Sequence, residues 1–246
     1  MISYSSLSDL KKCPYQYYEK RVLRLHKFAP GPEAALGDWV HVRLQHVGEG
    51  SVSEVPAIPP ELTAHSTPEK LAALRDGIGW ATAMTKQMFA QNTHFEAEFN
   101  IDPSLTRPVN KDWKATYNWN GKADLFQRDG THGFIGDWKT GSSKFPDTDQ
   151  LELMAVFGFI RWPELQTVDA ALVFLGDCKV VPSPVWSRAV DFPILREKWL
   201  DKAVELKRRT DEKDWPKTPN ALCGWCPCTS CEHNAPAKAS RAARGK

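Results

Sequence analysis

The sequence predicts an α/β fold, a mixed central sheet with helices on both faces. Three observations carry that expectation. Helix-patterned segments come first, then a run of strands, then a helix, two strands and a last helix, an order that lays helices over a sheet. Phe95, Ala97, Phe99 and Ile101 alternate with Glu96, Glu98 and Asn100, the period-two pattern of a half-buried strand. Residues 122–127 and 133–138 are apolar-patterned runs flanking Arg128-Asp129-Gly130-Thr131-His132, and an Asp-Gly pair between such runs signals a hairpin.

Taken in order, Ser6 is a candidate N-cap with Asp9 in the first turn, opening a helix to about residue 23 whose early part Pro14 constrains. Residues 33–47 read as a second helix, with Ala35, Trp39, Val42 and His46 along one face and His41 four residues past Gly37. The Gly-, Ser- and Pro-rich segment 48–60 is a loop, without the charge change that would make it a domain boundary. A long helix follows over 68–92, opened by Pro68 and weakened by Gly77 and Gly79. After the strand at 95–101, residues 114–119 form the next strand, and Asn120-Gly121 a tight turn into the hairpin. Residues 148–161 are helical, with Gln150, Met154 and Phe157 on one side. Strands at 170–175 and 180–186 surround Gly176-Asp177, and Asp191 caps a helix to about residue 210.

The chain has 246 residues, enough for a sizeable core, with 41% apolar and 25% charged residues, as in ordinary globular proteins. A net charge of +2 excludes a grossly cationic arm but not a local basic groove. No apolar run has the length of a membrane span, and the N-terminus lacks the pattern of a signal peptide, so the expected setting is cytoplasmic. Lys238, Arg241, Arg244 and Lys246 make residues 236–246 a basic tail, expected to be disordered.

The hairpin carries chemistry. Asp137 and Lys139 share a strand face, with Trp138 on the other, and Asp124 on the neighbouring strand can join them. Carboxylate oxygens are preferred Mg²⁺ ligands, and a lysine beside them can orient water and stabilise charge building on a phosphate. Alone, D-x-K is a surface ion pair. Here G-x-x-D, a turn, an apolar run and D-x-K-T-G occur in order.

Four of the six cysteines, Cys223, Cys226, Cys228 and Cys231, lie within nine residues, a metal-binding density in a reducing compartment. Four local thiolates suit Zn²⁺, and three with the distant Cys13 suit an iron–sulfur cluster.

Together these residues resemble the RecB-type branch of the PD-(D/E)XK nuclease superfamily, from Ser3 to about His233. The pieces are Tyr4-Ser5-Ser6-Leu7 with Cys13-Pro14, Gly37 through His41, Glu98 before Phe99 with Glu96 as the less favoured register, Gly121 through Asp124, Asp137 through Gly141, Gln150 through Met154, and the cysteine cluster. The resemblance implies a restriction-endonuclease-like sheet in one nuclease domain, residues 1–235, with a clasp joining Cys13 to the cluster at 223–231. It implies that Asp124, Asp137, His41 and the Trp138 backbone carbonyl hold Mg²⁺ or Mn²⁺, and that Lys139 orients the attacking water. Glu98 becomes the first-strand acid, and Gln150 positions the lysine or the DNA. By the same resemblance Cys13, Cys223, Cys226 and Cys231 would hold a 4Fe–4S cluster, as in CRISPR-adaptation and helicase-linked nucleases. Met154 stands where the family usually has tyrosine, and Cys228 is extra, leaving a local Zn²⁺ site open. The chain carries no G-x-x-x-x-G-K-[ST] loop of a helicase motor.

The function this implies is a metal-dependent DNA exonuclease acting on DNA ends or single strands, in phage or bacterial recombination, repair or CRISPR-type processing, where a helicase, recombination or CRISPR-adaptation protein would be its partner. The alternative is a non-catalytic DNA-binding module keeping the fold and a structural Zn²⁺ or iron–sulfur site.

Overall fold

A computed structural model of the chain describes residues 1–26, 31–87, 92–112 and 117–234. The chain divides into two compact units, Pro30–Trp199 together with Met1, and Ile2–Ala29 together with Leu200–Lys246.

In the first unit, β1 (Thr93–Ile101), β2 (Trp119–Asp129), β3 (His132–Lys139), β4 (Thr167–Phe174) and β5 (Lys179–Pro182) lie side by side in that order, and β6 (Trp186–Ser187) pairs with β4. β2 runs antiparallel to β1 and to β3, whereas β3 and β4 are parallel. A parallel pair needs a crossover of a dozen residues or more, and α6 (Asp149–Arg161) supplies it. The result is the mixed sheet flanked by helices that the sequence predicts.

The hairpin forms where its signal lies. Asp129 pairs with His132, leaving Gly130-Thr131 as a two-residue loop, and Gly130 takes a φ of +56°, which glycine adopts without steric penalty. β1 buries Ala97, Phe99 and Ile101 and exposes Glu98, as its alternation predicts. Asn120-Gly121 is not a turn, because both residues lie inside β2. Gly121 is there for the close approach of α6: a Cβ would sit 2.5 Å from Met154 Cε and 2.8 Å from Phe157 Cε2. Half of the predicted strand at 114–119, residues 114–116, lies outside the described residues, and of the other half only Trp119 joins β2.

On one face, α3 (Pro32–Gly48) contributes Leu36, Val40 and Leu44, and α5 (Pro68–Gln87) contributes Leu74, Ile78 and Ala81, to a core shared with Trp138, Val173 and Leu175. The inward stripe of α3 is therefore rotated from the expected one, and Val42 is exposed. The predicted end of α5 falls on residues 88–91, outside the described residues. α4 (Pro60–Thr63) is one short turn in the connection. The other face is aromatic: Phe99, Trp119 and Phe126 of the sheet meet Phe157 and Trp162, with Phe126 and Trp162 centroids 4.3 Å apart. α6 is buried on almost every side, as its continuous apolar run requires.

In the second unit, α1 (Tyr4–Lys12) is capped by Ser3 rather than Ser6. Ser3 Oγ accepts from the Ser6 amide and Ser6 Oγ from the Ser3 amide, a reciprocal capping box. The long helix expected to residue 23 breaks at Cys13, which is extended because Pro14 disfavours helical backbone in the residue before it. α2 (Pro14–Tyr17) and a π turn over Tyr18–Val22 follow. Asp9, now mid-helix, pairs with Lys20 at 3.0 Å and Arg21 at 2.8 Å. Trp215 stacks on Tyr17 and Tyr18 with centroids at 5.7 and 5.4 Å. α7 (Asp191–Glu212) begins in the first unit and ends in the second. Asp191 opens α7, and its carboxylate accepts from the Ser187 amide and hydroxyl, one turn back. The basic tail lies outside the described residues. Among the described residues no helix is long and apolar enough to cross a membrane.

The two glycines of α5 differ. A Cβ at Gly77 would lie 1.8 Å from the Leu175 carbonyl oxygen, whereas Gly79 has nothing within 4 Å. Gly77→Ala is expected to lower stability by more than about 2 kcal/mol, and Gly79→Ala to raise it by about 0.5–1 kcal/mol. Urea unfolding midpoints of the two variants check both.

Candidate active site

Three neighbouring strands bring three acids into one line. On β1 and β2 the pairs Phe95–Leu125 and Ala97–Ala123 bracket Glu96 opposite Asp124. On β2 and β3 the ladder runs to Leu125–Gly136, so the next position sets Asp124 opposite Asp137. Both ladders open at Asp124. Glu96 has a φ of +50°, costly for a residue with a Cβ. Asp124 Oδ2 accepts from the Trp138 amide at 2.7 Å, taking over an amide on the adjoining strand. Asp124 and Asp137 are only 9% and 4% exposed. Like charges directly opposite on a sheet repel, and here they are also buried.

Helices add the remaining groups. His41, next to buried Val40 on α3, places Nδ1 3.0 Å from Asp124 Oδ1. Lys139 Nζ lies 2.5 Å from Asp137 Oδ2. Gln150, in the first turn of α6, accepts from Lys139 Nζ at 3.3 Å and donates through Nε2 to Asp137 Oδ1 at 2.9 Å. Lys122 pairs with Glu96. Asp137 Oδ2 is buried with the Lys139 ammonium against it.

The electrostatics follow from this crowding. Burial, then the charge of Asp124, push the Asp137 carboxyl up to about 6 despite the opposing pull of Lys139. Burial works against a charged His41, but the hydrogen bond to Asp124 and the charges of Asp124 and Asp137 outweigh it, and its pKa rises.

The cluster fits a divalent cation. His41, Glu96 and Asp124 each offer a ligand atom, all within 4.8 Å of one another, and the charge of Asp137 bears on both Asp124 and His41. Carboxylates with one imidazole suit Mg²⁺ and Mn²⁺.

Of the residues singled out from the sequence, the fold brings together Asp124, Asp137, Lys139, Gln150 and His41. Trp138 spans the gap between them, with its amide on Asp124 and its indole in the core. Glu98 is not brought in. Its side chain is 55% exposed and pairs with Lys111 at 2.9 Å. Glu96 takes that place. Period-two alternation puts both glutamates on one strand face and cannot choose between them; the choice depends on which one the ladder sets against Asp124.

In the second unit, Cys13, Cys223, Cys226, Cys228 and Cys231 line a cavity of about 200 Å³. The Thr218 amide points at Cys13 Sγ at 3.5 Å and the Asn220 amide at Cys223 Sγ at 3.3 Å. Buried Asn234 donates to the Cys223 and Cys226 carbonyls at 2.9 and 2.8 Å, shaping the loop. Among the described residues no three of these cysteines bring their sulfurs within 4.8 Å of one another. Tetrahedral Zn²⁺ with Zn–S near 2.3 Å needs sulfurs about 3.8 Å apart. Cys228 is also grouped with Glu19 and His26, and burial, then the hydrogen bonds with Glu19 and with Cys226, raise its thiol pKa.

A family model described as the PD-(D/E)XK nuclease superfamily matches residues 1–231. Among solved structures, the chain is similar to one titled "Crystal structure of SSO0001", at 12% identity and a TM-score of 0.42, over 95% of this chain and 86% of that one. No curated protein matches.

A carboxyl whose folded pKa lies above its unfolded value holds more protons folded than unfolded between the two. Asp137 therefore makes folding stability fall as pH rises from 3.8, the ordinary value of an aspartate, to about 6. In EDTA, Asp137→Asn is expected to raise the melting temperature at pH 7.5, with the gain shrinking toward pH 4. Adding Mn²⁺ should stabilise the parent protein and not the variant. Thermal melts across pH, with and without metal, check this.

Proposed function

The chain belongs to the PD-(D/E)XK nuclease superfamily, and from that premise we propose that it is a divalent-metal-dependent DNA exonuclease of the RecB-type branch. It would act on DNA ends or single strands, in recombination, repair or CRISPR-type processing. One observation carries this reading: Glu96, Asp124 and Asp137 stand in line across three strands with Lys139 and Gln150 beside them. A binding module has no use for that buried repulsion. The family match extends over residues from both compact units, which supports reading residues 1–235 as one nuclease domain with its clasp.

In this reading Asp124, Asp137 and His41 hold the metal, with Glu96 as a further acid and the Trp138 carbonyl completing the set. Mg²⁺ or Mn²⁺ there would draw charge from the scissile phosphate and acidify water. Lys139 orients that water and offsets charge on the phosphate oxygens. Gln150 grips both Lys139 and Asp137 and keeps the ammonium aimed at the acid. His41, held by Asp124, must lose its proton to ligate. In the second unit we assign Cys13, Cys223, Cys226 and Cys231 to a 4Fe–4S cluster. All four line one cavity, and the Thr218 and Asn220 amides turn toward Cys13 and Cys223, which supports this.

Purified protein should degrade DNA only when Mg²⁺ or Mn²⁺ is present. Asp137→Ala and Lys139→Ala should each reduce the rate by about three orders of magnitude with unchanged circular dichroism. Cleavage that persists in both variants rejects the assignment, and binding without turnover in the parent supports a non-catalytic module.

Glu96→Gln should raise the metal concentration for half-maximal rate by roughly 10–100-fold, whereas Glu98→Gln should leave it unchanged; a metal titration separates the two. Anaerobically purified protein should absorb near 400 nm and carry about four iron atoms. Colourless protein with one zinc per chain would reverse the metal assignment.

A further inference from the structure

The loop between the two halves of the site carries an aromatic ring that the fold does not use. Phe145 is 83% exposed, the most exposed of the chain's described large apolar side chains. It lies six residues after Lys139 and five before Gln150, both of which contact Asp137. Chain length alone keeps it within roughly 20 Å of those groups. The loop is held rather than loose. The Ser143 amide donates to Asp177 Oδ2 at 2.7 Å, the Lys144 amide to Ser142 Oγ at 3.2 Å, and Pro146 fixes the backbone after the ring. Lys144 Nζ sits 5.4 Å from the ring centroid, so one face carries a cation and the rest is open. A cleft of about 350 Å³, lined by Lys70, Thr140, Ser142 and Asp177 among others, opens at the base of the loop.

A tethered loop with a bare ring and an adjacent ammonium matches one occupant chemically. Unpaired nucleobases have faces that stack on aromatic rings, and their backbone brings phosphates for a lysine. Paired bases have their faces covered by their neighbours. We propose that Phe145 is a stacking platform for an unpaired DNA strand at the site, with Lys144 meeting the adjoining phosphate. The inference rests on the nuclease reading and adds to it a preference for single-stranded DNA or frayed ends.

Binding is measured by fluorescence anisotropy, in EDTA, of a labelled single-stranded oligonucleotide and a blunt duplex, across a salt series. Phe145→Ala should weaken single-strand binding roughly 5–100-fold with the salt slope unchanged, and Phe145→Trp should retain it. Duplex binding should change by less than about twofold. Lys144→Gln should weaken both substrates and lower the salt slope by about one. Unchanged single-strand affinity in Phe145→Ala, or an equal loss on the duplex, overturns the proposal. Because the ring is exposed, the variant tests contact rather than folding. The two readings fail separately. Stacking without any cleavage in Mg²⁺ removes the nuclease reading alone, and cleavage with an indifferent Phe145 removes the platform alone.

Discussion

The structure depends on one electrostatic conflict, three carboxylates lined up across β1, β2 and β3 with two of them nearly dry. Sheets avoid like charges at opposite positions. This sheet accepts them, and its local irregularities follow from doing so. The ladders open at Asp124, Glu96 adopts a left-handed backbone, and Asp137 holds its proton toward neutral pH. Lys122, Lys139 and His41 each answer one acid, and Gln150 locks the arrangement from the start of α6. The rest of the first unit supplies the rigidity. α3 and α5 pack one face against Trp138, and an aromatic layer with α6 packs the other.

Much of this is legible in the residues. The alternation of β1, the Asp-Gly hairpin and the same-face relation of Asp137 and Lys139 are local rules, and local rules hold where the sheet is regular. His41 and Gln150 were placed by resemblance, and the fold brings both to the acids. What is not legible is set by partners distant in sequence. Glu96 and Glu98 are equivalent until strand register separates them. Gly121 reads as a turn residue until α6 is known to cross it, and Gly77 reads as a weak helix position until Leu175 is known to lie against it. Ser3 and Ser6 compete as caps, and the capping box, which needs both, makes Ser3 the boundary.

The second unit uses a different logic. Its helices are short and bent, and much of its order comes from polar ties and stacked rings, such as Trp215 on two tyrosines and Asn234 on two carbonyls. Small, loop-rich elements with little core commonly need a covalent or metal staple. Five thiols line one cavity there, and the Thr218 and Asn220 amides turn toward Cys13 and Cys223.

The Gly130-Thr131 loop has a consequence beyond its own geometry. Asp124 and Asp137 face each other only because two residues, and no more, bridge β2 and β3. A single inserted codon there would slide one strand past the other by one position, turning one carboxylate toward the opposite side of the sheet. Length variation at this tip is therefore closed to drift. Among the chain's surface connections it should be one where descendants differ in letters but not in count.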